Sequence, residues 1–148
     1  MASFTSTLTE SFTGDTGTVD STNTLTITGI EQVTKRVVGV KNGQQTILAT
    51  FAAATSTSVG SHAVDSVKYV RVTNLHASNS ISLGIIGAAT CHNIKLGPDE
   101  SWVCGATGDT YLAEADTDPS HASHADIVQI EAESLSGVIQ VEIVIAST

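Results

Sequence analysis

From Val138 to Ala146 the chain sets Ile139, Val141, Ile143 and Ile145 on one side and Val138, Gln140, Glu142 and Val144 on the other. Alternate residues share a face only in a strand, so this run predicts a core strand with one wholly apolar face. Asn23 to Ile30, in which Thr alternates with Leu and Ile, shows the same period of two. No segment carries a convincing helical period. Phe4, Leu8 and Phe12 are four residues apart, but the Ser and Thr between them are poor helix formers and sit equally well in a strand.

Turn signals divide the chain at short intervals. Val33–Val40 and Gln45–Phe51 flank Lys41-Asn42-Gly43-Gln44, whose Asn-Gly accepts positive φ and predicts a hairpin. A second hairpin is expected between Val67–Asn74 and Ile81–Ile86 across Leu75–Ser80. A third joins Cys91–Leu96 to Ser101–Gly105 through Gly97-Pro98-Asp99-Glu100, where Pro98 pre-sets φ. Asp109–Ala115 reads as a short strand, 114–126 as a polar loop, and Ile127–Ser134 with Gly137–Ala146 as a closing pair. Ala52–Ser61 has little to bury and reads as a loop.

Roughly nine or ten strands on 148 residues favour one all-β domain, an antiparallel two-sheet β-sandwich of jelly-roll type, over an open sheet with exposed edges. The sandwich is assigned to 23–148. Residues 1–22, rich in Ser, Thr and Gly, are expected to form an extended N-terminal arm or edge strand that either pairs within its own sheet or reaches over a neighbouring subunit.

Composition narrows function. Ser and Thr together number 38, whereas Asp, Glu, Lys and Arg number 21. A net charge of -9 with six Lys and Arg argues against nucleic acid, because affinity for phosphate backbones comes largely from those cations. All six cations lie between Lys35 and Lys95, and the chain beyond carries ten acids and no cation. This polarity either follows from composition or orients one subunit against the opposite charge of another. No apolar run approaches the roughly 20 residues of a membrane helix, and the first residues lack a basic start and apolar core, so a soluble protein made without a secretion signal is expected.

Cys91 and Cys104 flank the third turn. In the expected hairpin register they lie diagonally, about 7 to 8 Å apart at Cα, which favours two free thiols.

Catalytic chemistry finds no pattern. His62, His76 and His92 are scattered among abundant Ser and Asp without a Gly-x-Ser-x-Gly elbow, so no catalytic residue and no enzymatic role are assigned. His121 and His124 with Asp116, Asp118 and Asp126 are the one metal-ligand candidate, but they lack a diagnostic spacing; neither metal nor cofactor is expected. Trp102, Tyr69 and Tyr111 are candidates for a sugar-stacking platform, against the alternative of core or subunit contact.

The run VKYVRVTNL at Val67–Leu75, followed by Asn79–Leu83 and by LGPDESW at Leu96–Trp102, resembles small virion proteins of tailed bacteriophages, marine and cyanobacterial ones in particular. Those proteins share such a strand and a later turn before an aromatic strand, and the likeness extends loosely to Ile127–Ala146. The resemblance implies a structural component of the particle: first a capsid decoration or cement protein on the capsid exterior, then a tail or fibre component. A carbohydrate-binding module is the third reading. The implied partners are further copies of the chain, a trimer in the first instance, and the major capsid protein or other virion proteins. Contact residues are expected in the arm, at Phe4, Leu8 and Phe12, and in the basic stretch, at Lys35, Arg36 and Lys41.

Overall fold

Strands form where the alternation is cleanest. A computed structural model describes residues 2–15, 17–110 and 124–148. The strands are β1 (Ser3–Gly14), β2 (Gly17–Thr28), β3 (Gln32–Lys41), β4 (Thr46–Ala52), β5 (Ser61–Ala63), β6 (Val67–Asn74), β7 (Ile81–Ile86), β8 (Cys91–Leu96), β9 (Ser101–Cys104), β10 (Gln129–Ser134) and β11 (Val138–Ser147). The only helical element among the described residues is one 3₁₀ turn at Val64–Ser66. The fold is all-β.

Two sheets face each other. One runs β3-β11-β6-β9 and the other β5-β4-β10-β7-β8. Every strand pairing among the described residues is antiparallel except that of β4 with the short β5. With β1, β2 and β5 set aside and the other eight strands counted in chain order, the sheets read 1-8-3-6 and 2-7-4-5.

This order overturns the three expected hairpins. β3 and β4, β6 and β7, and β8 and β9 each lie in opposite sheets, as do β10 and β11. The turn chemistry itself is present: Gly43 has φ 71° and Asp99 has φ 58°. These turns carry the chain across the core instead of back along the same sheet. The reason lies in burial, because an apolar strand face needs a second layer against it. A crossing lets Val40 of β3 and Leu48 of β4 cover the core from both sides, whereas a hairpin would leave both in one layer. The partner gained also matters. All ten residues of β3 pair with β11, from Gln32 with Ser147 to Lys41 with Val138. The hairpins that form among the described residues are β1–β2 and β7–β8, the latter closed by a bond from the Gly87 N–H to the Thr90 carbonyl (2.9 Å).

The core lies between the sheets. Val70, Val72, Ile139, Val141, Ile143 and Ile145 from the four-stranded sheet meet Leu48, Phe51, Ile81, Leu83, Ile85 and Ile130 from the other. Each such side chain, fully withdrawn from water, contributes roughly 1.5–3 kcal/mol. Corners are tied by side-chain amides: Asn42 Nδ2 donates to the Ser134 carbonyl (3.0 Å) at the β3–β4 corner. Cys91 and Cys104 are free, as expected, but because their strands are in different sheets and not because they sit diagonally in a hairpin.

The expected boundary at residue 22 falls within a strand of a separate two-stranded ribbon. Thr22 and Asn23 are consecutive residues of β2, and β1 pairs with β2 along its whole length, from Ser3 with Thr28 to Gly14 with Gly17. Ser61–Ala63, next to the expected loop, adds a short parallel strand to β4.

One buried titratable group makes stability depend on pH. His62 on β5 is buried beside Phe51, and its pKa lies below the usual 6.5, first because of desolvation and second because of the Arg36 charge. Folding therefore favours the neutral ring while the unfolded chain takes up the proton near 6.5. The stabilisation is complete above that pH and is lost as pH falls from it toward the lower folded value. Thermal melts at about pH 7.5 and about pH 5.5 are expected to show a larger loss on acidification for the wild type than for His62→Gln.

Candidate functional site

The β1–β2 hairpin separates its residues by chemistry. In β1 the even positions Phe4, Leu8 and Phe12 share a face, and the pairing Phe4–Ile27, Ser6–Leu25 and Phe12–Val19 places Ile27, Leu25 and Val19 on that face too. The opposite face is Thr5, Thr7, Thr9, Ser11 and Thr13 with Thr18, Asp20, Thr22, Thr24 and Thr26. Cross-strand bonds link this polar face, including Ser11 Oγ to Asp20 Oδ1 (2.6 Å). At the turn Gly14 lies under the Phe12 ring, where a methyl group would fall 2.8 Å from a ring carbon.

Only the base of the apolar face is covered by the chain's own body. Phe4 packs on Tyr69 of β6, ring centroids 4.8 Å apart, and the Ser6 and Tyr69 hydroxyls are 3.2 Å apart. Ile30, Tyr69 and Ala146 complete this second, smaller core with Phe4 and Ile27. Farther out the face is bare: Leu8, Phe12 and Val19 are 61%, 65% and 68% exposed. A two-stranded hairpin alone in water is marginally stable at best, and both its edges are open to pairing. Phe4→Ala, which removes an aromatic contact of about 1 kcal/mol, is expected to speed proteolysis within Ser3–Thr28 while leaving the melting of the sandwich nearly unchanged.

Under the hairpin, a groove of about 390 Å³ opens between Ser6, Leu8 and Leu25 on one side and Tyr69, Arg71 and Val103 on the other. No β3 residue lines it. The outward side of β3 carries Val33, Lys35, Val37, Gly39 and Lys41, with Val33 and Val37 each 53% exposed. Beside them Glu142 of β11 takes two cations, Lys35 at 2.8 Å and Arg71. Since Lys35 and Arg71 reach solvent, this triad fixes side-chain geometry more than it adds stability.

The outer face of the other sheet is different. Ser82, Gly84, Asn93, Gln45, Glu131 and Glu133 make a shallow polar hollow there. The split of charge along the sequence does not carry over into space: Glu142 lies among Lys35, Lys41 and Arg71 on one outer face, and Lys95, opposite Ser82, shares the other with Glu131 and Glu133.

The expected contact residues divide accordingly. Leu8 and Phe12 are exposed, Phe4 anchors the hairpin, Lys35 joins the Glu142 triad, and Lys41 faces solvent. Arg36 does not accompany them. It occupies an even position of β3, so its side chain turns to the inner side and donates to the Leu48 carbonyl (3.1 Å). Sequence reasoning missed Val19, Leu25 and Ile27 as the second half of the apolar face. The signal was present: their odd positions match the even ones of Phe4, Leu8 and Phe12 once Gly14 pairs with Gly17.

The other candidates do not come together. Tyr69 lies under the hairpin on the outer side of its sheet, and Trp102, opposite Val72, packs into the core from the inner side. They share no sugar platform, and Tyr111 lies outside the described residues. Of the metal candidates, Asp116, Asp118 and His121 also lie outside them, His124 is exposed, and Asp126 Oδ1 accepts the Asp109 amide (3.0 Å). Among the histidines, His62 is buried at β5 and His76 Nδ1 accepts the Ser78 and Asn79 amides (3.1 and 2.9 Å); His92 is exposed on β8. No family model, curated protein or solved structure matches the chain.

Proposed function

We propose that this chain is a structural protein of a tailed-phage virion without catalytic function, a capsid decoration or cement protein that binds the outer capsid lattice as a homo-oligomer, a trimer in the first instance. The observation that carries the proposal is the hairpin, whose apolar face stands bare beyond Leu8 on an otherwise well-packed sandwich. An apolar patch rimmed by polar residues marks a protein contact more often than a site for chemistry. The two facing antiparallel sheets, read by us as a jelly roll from the order 1-8-3-6 against 2-7-4-5, support the same reading, because the jelly roll is an architecture of viral capsid and lectin domains. The likeness of VKYVRVTNL and LGPDESW to phage virion proteins supplies the particle.

The test is to purify particles encoded with this gene and to compare them with particles that lack the protein. A cement protein is present in many copies, and its loss lowers the temperature at which the shell opens while infectivity at ordinary temperature persists. Lost infectivity with an intact shell makes it a tail or fibre component instead. Absence from purified particles overturns the reading.

A further inference from the structure

We propose that the bare tip of the hairpin docks on the outer face of β3 in a second copy of this chain. Two surfaces of the same molecule complement each other. The tip presents Leu8, Phe12 and Val19 around one charge on that face, Glu10, and the whole hairpin contains no Lys or Arg while Asp15 and Asp20 add to its negative field. The β3 face presents Val33 and Val37 with Lys35 between them and Lys41 beyond Val37. Lys35 already pairs with Glu142, whereas Lys41 has no carboxylate at ion-pair distance among the described residues. Apolar meets apolar, and the acid of one surface meets the free cation of the other.

The hairpin does not serve its own β3. Its base leans over β6, and its groove is walled by Tyr69, Arg71, Ser101 and Val103, which belong to β6 and β9. From Ser6 to Gly14 the strand spans roughly 25 Å, long enough to leave the body and lie across a neighbour. Burying Leu8, Phe12 and Val19 also gives the outer part of the two-stranded sheet the packing partner that it otherwise lacks. Because the tip and the β3 face are different surfaces, the contact is head-to-tail, and it closes a ring where the rotation between successive copies closes on itself.

The inference rests on the oligomer part of the proposed function and not on its virion part. Two variants test it: Leu8→Asp with Phe12→Asp in the tip, and Val33→Asp with Val37→Asp on the face. Sedimentation velocity is expected to show the wild type as an oligomer and each variant as a monomer with wild-type circular dichroism. An equimolar mixture of the two variants is expected to form a one-to-one dimer, since the mixture keeps one intact tip and one intact face. Should the face variant misfold, Glu10→Lys and Lys41→Glu replace the pair: each weakens assembly alone, and both in one chain restore it.

A mixture that stays monomeric, or a face variant that still assembles, overturns the contact, as does a charge exchange without rescue. An oligomer indifferent to all the variants overturns the contact and leaves the oligomer reading standing. A wild type that is monomeric at every concentration overturns both.

Discussion

Asn74→Ala is expected to cost about 3 kcal/mol of stability, a drop in Tm of roughly 10 °C. Asn74 is fully buried at the end of β6. Its Nδ2 donates to the carbonyls of Asn79 and Gly97 (2.8 Å each) and, at 3.3 Å, to that of Leu96, while its Oδ1 accepts the His76 amide at 3.0 Å. One side chain thus joins the β6–β7 corner to the β8–β9 corner across the two sheets. Alanine leaves these groups without a partner, and each buried polar group left unpaired costs about 1–3 kcal/mol. The partial exposure of several of them keeps the sum to about 3 kcal/mol, below what the same number of fully buried groups would cost. Urea unfolding followed by circular dichroism measures the loss. A cost below about 1 kcal/mol would mean that water replaces the amide readily and that the corners are not held by it.

The second large effect is expected at Gly60, which enters β5 with φ 87°. A side chain there is strained by backbone conformation, and a methyl group would sit 3.0 Å from the Leu48 carbonyl oxygen and against the Arg36 guanidinium. Arg36 cannot simply withdraw, because it donates to that same carbonyl from the inner side of β3. Gly60→Ala should therefore cost about 2–3 kcal/mol. Combining it with Arg36→Ala tests the crowding separately from the strain. The double variant is expected to be more stable than the sum of the single losses implies, by roughly 1 kcal/mol. Strict additivity would assign the whole cost to φ.

Local pattern revealed most strands, and long-range pairing was beyond it. The run Val138–Ala146 announces a core strand because alternation is a property of its own residues. That β11 lies between β3 and β6 depends on which faces must cover one another, which no short window contains. The turn at Asn42-Gly43 shows the limit most clearly: positive φ at Gly43 serves a hairpin and a crossing between sheets equally well. A strand as short as Ser61–Ala63 leaves no periodic trace.

The candidate surface was half legible. Leu8 and Phe12 stood out as large apolar residues in a Ser/Thr-rich stretch, and the structure leaves both exposed. Arg36 was grouped with Lys35 and Lys41 because the three are close in sequence, although parity alone sends it to the opposite face of β3. Asn74 offered only turn chemistry to a sequence reading, since its partners on Leu96 and Gly97 come from a distant corner.

The central claim is that a rigid sandwich carries a docking hairpin held mainly at its base. Amide hydrogen exchange, read by mass spectrometry on the dilute protein and on its assembled form, tests this most directly. In the dilute protein, amides from Leu8 to Thr22 should exchange far faster than those of β11 and should become protected on assembly, with β11 unchanged. Equal protection of the hairpin in both states would contradict the claim.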